Sequence, residues 1–187
     1  MDNSIHFKLI LIGGIKSCKT IFLKYLLGII DSNDINQYNG SIGVQYASKI
    51  INFFDKQIIF NFWDMTGNEQ YDQLIRIFLL QCKFVFVFFD SSNKTSFQRA
   101  KTVFNIAKNV LNPNEAIYVL ISAKYDLYPK SKEDISDKVS EEEALEFAYK
   151  NNMLFAHISL MEKYSKGINE LFDKALEEYF KRKKLIK

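Results

Sequence analysis

Gly13-Gly14-Ile15-Lys16-Ser17-Cys18-Lys19-Thr20 is the stretch that decides the fold. An apolar run over residues 7–12 precedes it. Residues 20–27 follow, with Phe22, Leu23, Leu26 and Leu27 at helical spacing. Strand, glycine turn and helix in that order form the opening unit of a parallel α/β sheet. The segment nearly matches the phosphate-binding loop pattern and fails only where Cys18 replaces the second glycine. Its physical logic survives: backbone N–H groups at a helix N-terminus face an anion, Lys19 supplies a point charge, and the Thr20 hydroxyl can ligate Mg²⁺. For so short a pattern, a plain glycine turn entering a helix is the competing reading.

Working outward, residues 44–54 and 57–64 are β-rich and separated by Asp55-Lys56, the pattern of a tight hairpin that places one antiparallel strand in the sheet. Residues 84–90 and 117–122 are continuous apolar runs, as strands covered on both faces require, and 154–159 is a weaker third. Helices are expected over 96–111, 140–151 and 165–184, the second opening on the capping pattern Ser140-Glu141-Glu142-Glu143. Residues 28–43 are a long polar loop and a candidate moving part. The expected fold is α/β, with a mostly parallel six-stranded sheet, one antiparallel strand and helices on both faces, all in one domain spanning residues 1–187.

Composition supports an ordinary globular chain: 187 residues, 48% hydrophobic and 25% charged. The net charge of +3 is concentrated in Lys181, Arg182, Lys183, Lys184 and Lys187, which leaves the body slightly acidic. A nucleic-acid surface spread over the fold is therefore not expected. The basic end reads either as a weak anchor to anionic lipid or as a solvated helix end whose cations suit the helix dipole. Two cysteines, Cys18 and Cys82, supply neither a disulfide framework nor zinc spacing, which fits a reducing, cytoplasmic setting. No lipidation signal is visible at either end, so membrane contact is expected to be peripheral, weak or partner-mediated.

Trp63-Asp64-Met65-Thr66-Gly67-Asn68-Glu69-Gln70-Tyr71 stands directly after the third strand. This resembles the small GTPases of the Ras superfamily, and the Rab branch in particular, whose pattern reads Trp-Asp-Thr-Ala-Gly-Gln-Glu-Arg-Phe here. Earlier, Ile42-Gly43-Val44-Gln45-Tyr46 answers the branch's Ile-Gly-Val-Asp-Phe. Asp90, Ser96-Phe97 and Lys124-Tyr125-Asp126-Leu127 fall in the family's order and at about its distances. The resemblance implies the P-loop small GTPase fold, with GTP or GDP and Mg²⁺ as ligands.

It also implies roles. Gly13, Lys16, Ser17 and Cys18 would line the phosphates, Lys19 would bridge the terminal ones, and Thr20, Ser41 and Asp64 would serve the metal. Gly67 would give its N–H to the γ-phosphate. Asn68 would stand where the family's glutamine orients water. Lys124, Asp126, Ser159 and Leu160 would contact the base, although Asp126 taken alone reads as an ordinary loop carboxylate. Effector and regulatory proteins would meet residues 38–46 and 64–78 of a monomer, where Tyr38 is the one aromatic of the first loop. Trp63 is expected to pack in the core at a strand end.

The departures are as informative. Cys18 and Lys16 stand where the family has glycines, reducing backbone freedom near the phosphates. Cys18 beside Lys19 at a helix N-terminus invites thiolate character, so it is either redox-sensitive or an inert small side chain. Asn68 is one methylene short of glutamine, and slow GTP hydrolysis is expected. Ala123 replaces the asparagine that precedes Lys124, and Met161 replaces a lysine that packs over the base. Two readings remain open: a guanine-nucleotide-dependent switch, and a pseudo-GTPase scaffold whose nucleotide is absent or permanently bound. A P-loop kinase would need an arginine-rich lid, and this chain has three arginines.

Overall fold

The computed structural model describes residues 4–29, 43–112, 114–124, 137–158 and 167–184. Six strands, β1 (Ile5–Gly13), β2 (Val44–Phe53), β3 (Lys56–Met65), β4 (Phe84–Asp90), β5 (Ile117–Ala123) and β6 (Leu154–Ile158), form one sheet in the order β2-β3-β1-β4-β5-β6. β2 runs antiparallel to β3, and every other pairing is parallel. The helices are α1 (Lys19–Leu26), α2 (Asp72–Leu79), α3 (Lys94–Val110), α4 (Glu141–Lys150) and α5 (Gly167–Arg182). The expected sheet, its antiparallel strand and the helices on both faces are all present. Among the described residues no helix is long and apolar enough to cross a membrane.

The strand alternation explains why two layers of helix are needed. β4 and β5 are buried along their whole length. Phe84, Phe86 and Phe88 point to the face covered by α1 and α5, where Phe22, Leu23, Phe172 and Leu176 meet them. Val85, Val87 and Phe89 point to the opposite face, covered by Ile75 and Leu79 of α2, by Phe97, Ala100, Val103 and Phe104 of α3, and by Ala144 and Ala148 of α4. Period-two alternation thus feeds two cores from the same strands.

Local chemistry sets the ends of the elements. The Oγ of Ser140 accepts the Glu143 N–H at 3.1 Å, the cap expected for α4. α3 begins two residues earlier than its spacing suggests, because the Asn93 side chain accepts the Ser96 N–H at 2.9 Å and so closes the first turn from Lys94. The hairpin corrects the sequence reading by one residue. Phe53 pairs with Lys56, so the connection is Phe54-Asp55 rather than Asp55-Lys56, with Phe54 at φ 51. α2, a helix of eight residues, is not singled out by sequence spacing. At the end of α5, Lys181 pairs with Glu177 at 3.6 Å, and Arg182 Nε donates to Glu178 at 2.7 Å. This favours the helix-end reading of the basic run.

Candidate functional site

The carboxyl ends of β1, β3, β4 and β5 lie side by side, and most of the singled-out residues stand just beyond them. The loop after β1 turns sharply. Gly13 has φ 150, and a Cβ there would lie 2.3 Å from the Phe88 carbonyl oxygen, so the neighbouring strand requires glycine. Lys16 at φ 59 and Cys18 at φ 67 both occupy the left-handed region, where a side chain is strained. At these two positions the backbone is one that suits glycine, with other side chains on it. Cys18 is also the N-cap of α1 and makes no side-chain cap bond.

Ser17 is fully buried, and its Oγ donates to the Gly14 carbonyl at 2.8 Å. The Lys19 ammonium is folded into the loop and donates to the carbonyls of Gly14 at 2.6 Å and Gly13 at 3.2 Å and to Ser17 Oγ at 3.2 Å. Among the described residues no carboxylate lies within ion-pair distance of it. Burial pushes its pKa down to about 8; Asp64 and Cys18 oppose that shift, and the Arg99 charge adds to it.

Asp64, at the end of β3, is completely buried and accepts a short hydrogen bond from the Thr20 hydroxyl at Oδ2. Its other oxygen, Oδ1, is buried without a hydrogen-bond partner. Burial pushes this carboxyl up to about 6, opposed by Thr20 and by the charges of Lys19 and Lys24. Gly67 lies directly on the loop after β1. A Cβ there would come within 2.3 Å of the Gly14 carbonyl carbon and the Ile15 nitrogen, so only glycine permits this approach. Asn68 caps a short 3-10 turn, Glu69–Tyr71, its Oδ1 accepting the Gln70 N–H at 3.1 Å. The Asn68 amide oxygen is thereby engaged by the backbone.

On the side reached by β4 and β5, Ala123 is buried and Lys124 follows at φ 57. The Lys124 ammonium pairs with Asp90 Oδ2 at 2.5 Å, while Asp90 Oδ1 accepts from Ser92 N–H and hydroxyl. Ser41, Asp126, Ser159 and Leu160 lie outside the described residues, as do Tyr38 and most of the loop 28–43.

At two places the structure goes beyond the sequence reading: Trp63, expected to pack in the core, stands at its edge, and Arg99 was not singled out. Trp63 is half-buried rather than enclosed. Its ring lies 5.1 Å from that of Tyr46 and 4.9 Å from that of Phe78, with Lys8 Nζ 5.4 Å above it. Tyr46 is 57% exposed, so the cluster forms a surface patch joining β2, β3 and α2. Arg99 of α3 reaches beneath the phosphate loop and makes a two-pronged ion pair with Asp72. Trp63 and Tyr46 lie in quoted motifs, but their meeting with Phe78, like the aim of Arg99, depends on which face of α2 or α3 turns inward.

A model of the Ras family matches residues 8–181. The chain is 28% identical over 176 residues to the Ras-related protein Rab-2B of Dictyostelium discoideum, covering 94% of this chain and 81% of that one. It is 26% identical over 171 residues to RABF2b of Arabidopsis thaliana (91% and 80%) and 24% identical over 177 residues to human Rab-17 (94% and 77%). With the sheet order, the loop after β1 and the Asp64–Gly67 segment in place, these matches settle the kinship: the chain belongs to the Ras family and is similar to its Rab branch.

Proposed function

We propose that this protein is a Rab-like switch that binds GTP and GDP with Mg²⁺, hydrolyses GTP slowly, and presents residues 38–46 and 64–78 to effector and regulatory proteins. The observation that carries this reading is the pairing of a buried Lys19 that lacks an acidic partner with the orphaned Asp64 Oδ1 across the loop. Lys19 is a buried charge whose three donors reach only neutral oxygens, and among the described residues Asp64 Oδ1 has no donor or cation beside it; a phosphate would neutralise the first and a hard cation the second.

The donor set fits Mg²⁺, which takes one or two protein oxygens and completes its shell with water and phosphate. Thr20 Oγ1 and Asp64 would hold it, together with Ser41, and when bound it would neutralise charge on the phosphates. The Lys19 donors, held here by the Gly13 and Gly14 carbonyls and Ser17 Oγ, would turn to phosphate oxygens, and the loop amides and the N-terminus of α1 add fixed positive dipoles. Gly67 brings a backbone N–H against the loop without a side chain in the way. Asp126 would select guanine by accepting from its N1 and N2 donors. Tyr46, Trp63 and Phe78 would supply the aromatic anchor of the effector face.

Asn68 favours a second reading, a pseudo-GTPase scaffold, because its amide already serves the turn Glu69–Tyr71. The two readings separate in one experiment. The protein is purified with Mg²⁺ and denatured, any released nucleotide is identified, and the stripped chain is titrated with fluorescent GDP and ATP. Stoichiometric guanine nucleotide, lost in Lys19→Ala and Asp126→Ala, is the expected result. A folded chain indifferent to millimolar GTP would leave the scaffold.

A further inference from the structure

We propose that Arg99 is a positioning residue of this nucleotide site: it latches residues 67–79 to the phosphate loop and thereby sets how fast bound nucleotide is released. The second half of this statement rests on the function proposed above; the latch itself is a property of the chain alone.

Three observations converge on this side chain. Its stem lies against the phosphate loop, since a Cβ added to Gly14 would stand 3.4 Å from Arg99 Cγ and 3.6 Å from its Cβ. Its head is committed to the segment after β3: Nη1 donates to Asp72 Oδ2 at 2.8 Å, Nη2 makes a short bond to Asp72 Oδ1, and Nε lies 4.0 Å from Glu69 Oε1. Its side chain is only 10% exposed and its Nε is buried without a hydrogen-bond partner, so water does little to loosen the fork. One residue of α3 therefore touches both the floor of the phosphate loop and the helix whose preceding turn carries Gly67 and Asn68. Its charge is felt at Lys19 as well.

The consequence is mechanical. Gly67 sits on Gly14 and Ile15 with no room for a Cβ, so movement of the segment that follows it changes what lies against the loop. Gly67 is five residues from Asp72, and that separation is bridged by the capped turn Glu69–Tyr71. Holding Asp72 therefore restricts Gly67. A lysine could keep the charge at this position, but it lacks the planar fork that grips both carboxylate oxygens.

The test uses the full chain with Arg99→Met, Arg99→Lys, Asp72→Asn, the double variant Arg99→Met/Asp72→Asn and the charge exchange Arg99→Asp/Asp72→Arg. Amide hydrogen exchange is followed in the nucleotide-free protein, and release of fluorescent GDP in the loaded one. Arg99→Met and Asp72→Asn are each expected to speed exchange at residues 68–79 about tenfold, with β4 and α5 unchanged. The double variant should be no faster than either single one, Arg99→Lys should fall between, and charge exchange should restore slow exchange. GDP release should quicken in parallel by about tenfold. Unchanged exchange at 68–79, or equal acceleration in α5, would overturn the latch. Accelerated exchange with an unchanged GDP release rate would overturn its role in release. If the wild-type chain takes up no guanine nucleotide, the switch reading fails, while the exchange comparison still decides the latch.

Discussion

At the scale of single residues, the phosphate loop keeps a glycine-shaped backbone with other side chains on it. Lys16 and Cys18 both hold positive φ, at 59° and 67°. The left-handed conformation costs a non-glycine residue about 1–2 kcal/mol, whereas glycine's extra freedom in the unfolded chain costs about 0.5–1 kcal/mol. Lys16→Gly and Cys18→Gly are therefore each expected to raise unfolding stability by up to about 1 kcal/mol, read from urea transitions with an unchanged slope. Cys18→Ala keeps the strain and should leave stability nearly unaltered. Equal midpoints for Cys18→Gly and Cys18→Ala would show that the loop stores no strain at this position. The two thiols differ sharply: burial pushes Cys82 up to about 12, while Cys18 is only half-buried at the head of α1.

At the scale of elements, the turn Glu69–Tyr71 joins the chemistry of Gly67 to the packing of α2. Asn68 is spent on capping that turn. Asn68→Gln lengthens the side chain by one methylene and weakens it as a cap, and both changes free the amide. Single-turnover GTP hydrolysis is expected to rise on the order of tenfold in this variant, measured as phosphate release. No change would mean that the amide has no water-orienting role here. The same segment shows what the sequence could and could not tell. The strands, the loop after β1 and the α4 cap were legible because they rest on local rules: apolar runs, glycine turns and a serine three residues before a glutamate. α2 was not, because it has only eight residues and Tyr71, at its N-cap, supplies no capping side chain to mark its start. Arg99 was illegible for a different reason. Nothing local distinguishes an arginine aimed at Asp72 from one aimed at solvent, and the pair spans 27 positions. The hairpin was misplaced by one residue because Asp55 suits either turn position, while ladder register decides, pairing Phe53 with Lys56.

At the scale of the whole molecule, a buried cation far from neutralisation ties pH to both folding and binding. Lys19 gives up its proton near pH 8 in the folded protein, against 10.5 for an ordinary lysine. Across that window the unfolded chain binds more protons, so folding stability rises with pH. Phosphate favours the charged form, so affinity moves the other way and weakens as pH passes about 8. GDP titrations from about pH 7 to about pH 9.5 should show progressive loss while urea midpoints of the stripped protein climb. A flat affinity profile would remove Lys19 from the phosphates. The architecture also carries a consequence for how the chain is made. β1 lies between β3 and β4, and its Phe7 ring packs against Phe60, Phe84, Tyr179 and Phe180. β1 thus leaves the ribosome well before α5, and its core is not closed until that helix arrives. Until α5 emerges, Phe60, Phe62 and Phe86 lack the cover of Phe172, and the nascent chain carries an open aromatic face. Synthesis of this protein should therefore depend on chaperones that shield such a face, and their release should coincide with the arrival of Phe172 and Phe180 rather than with completion of the sheet.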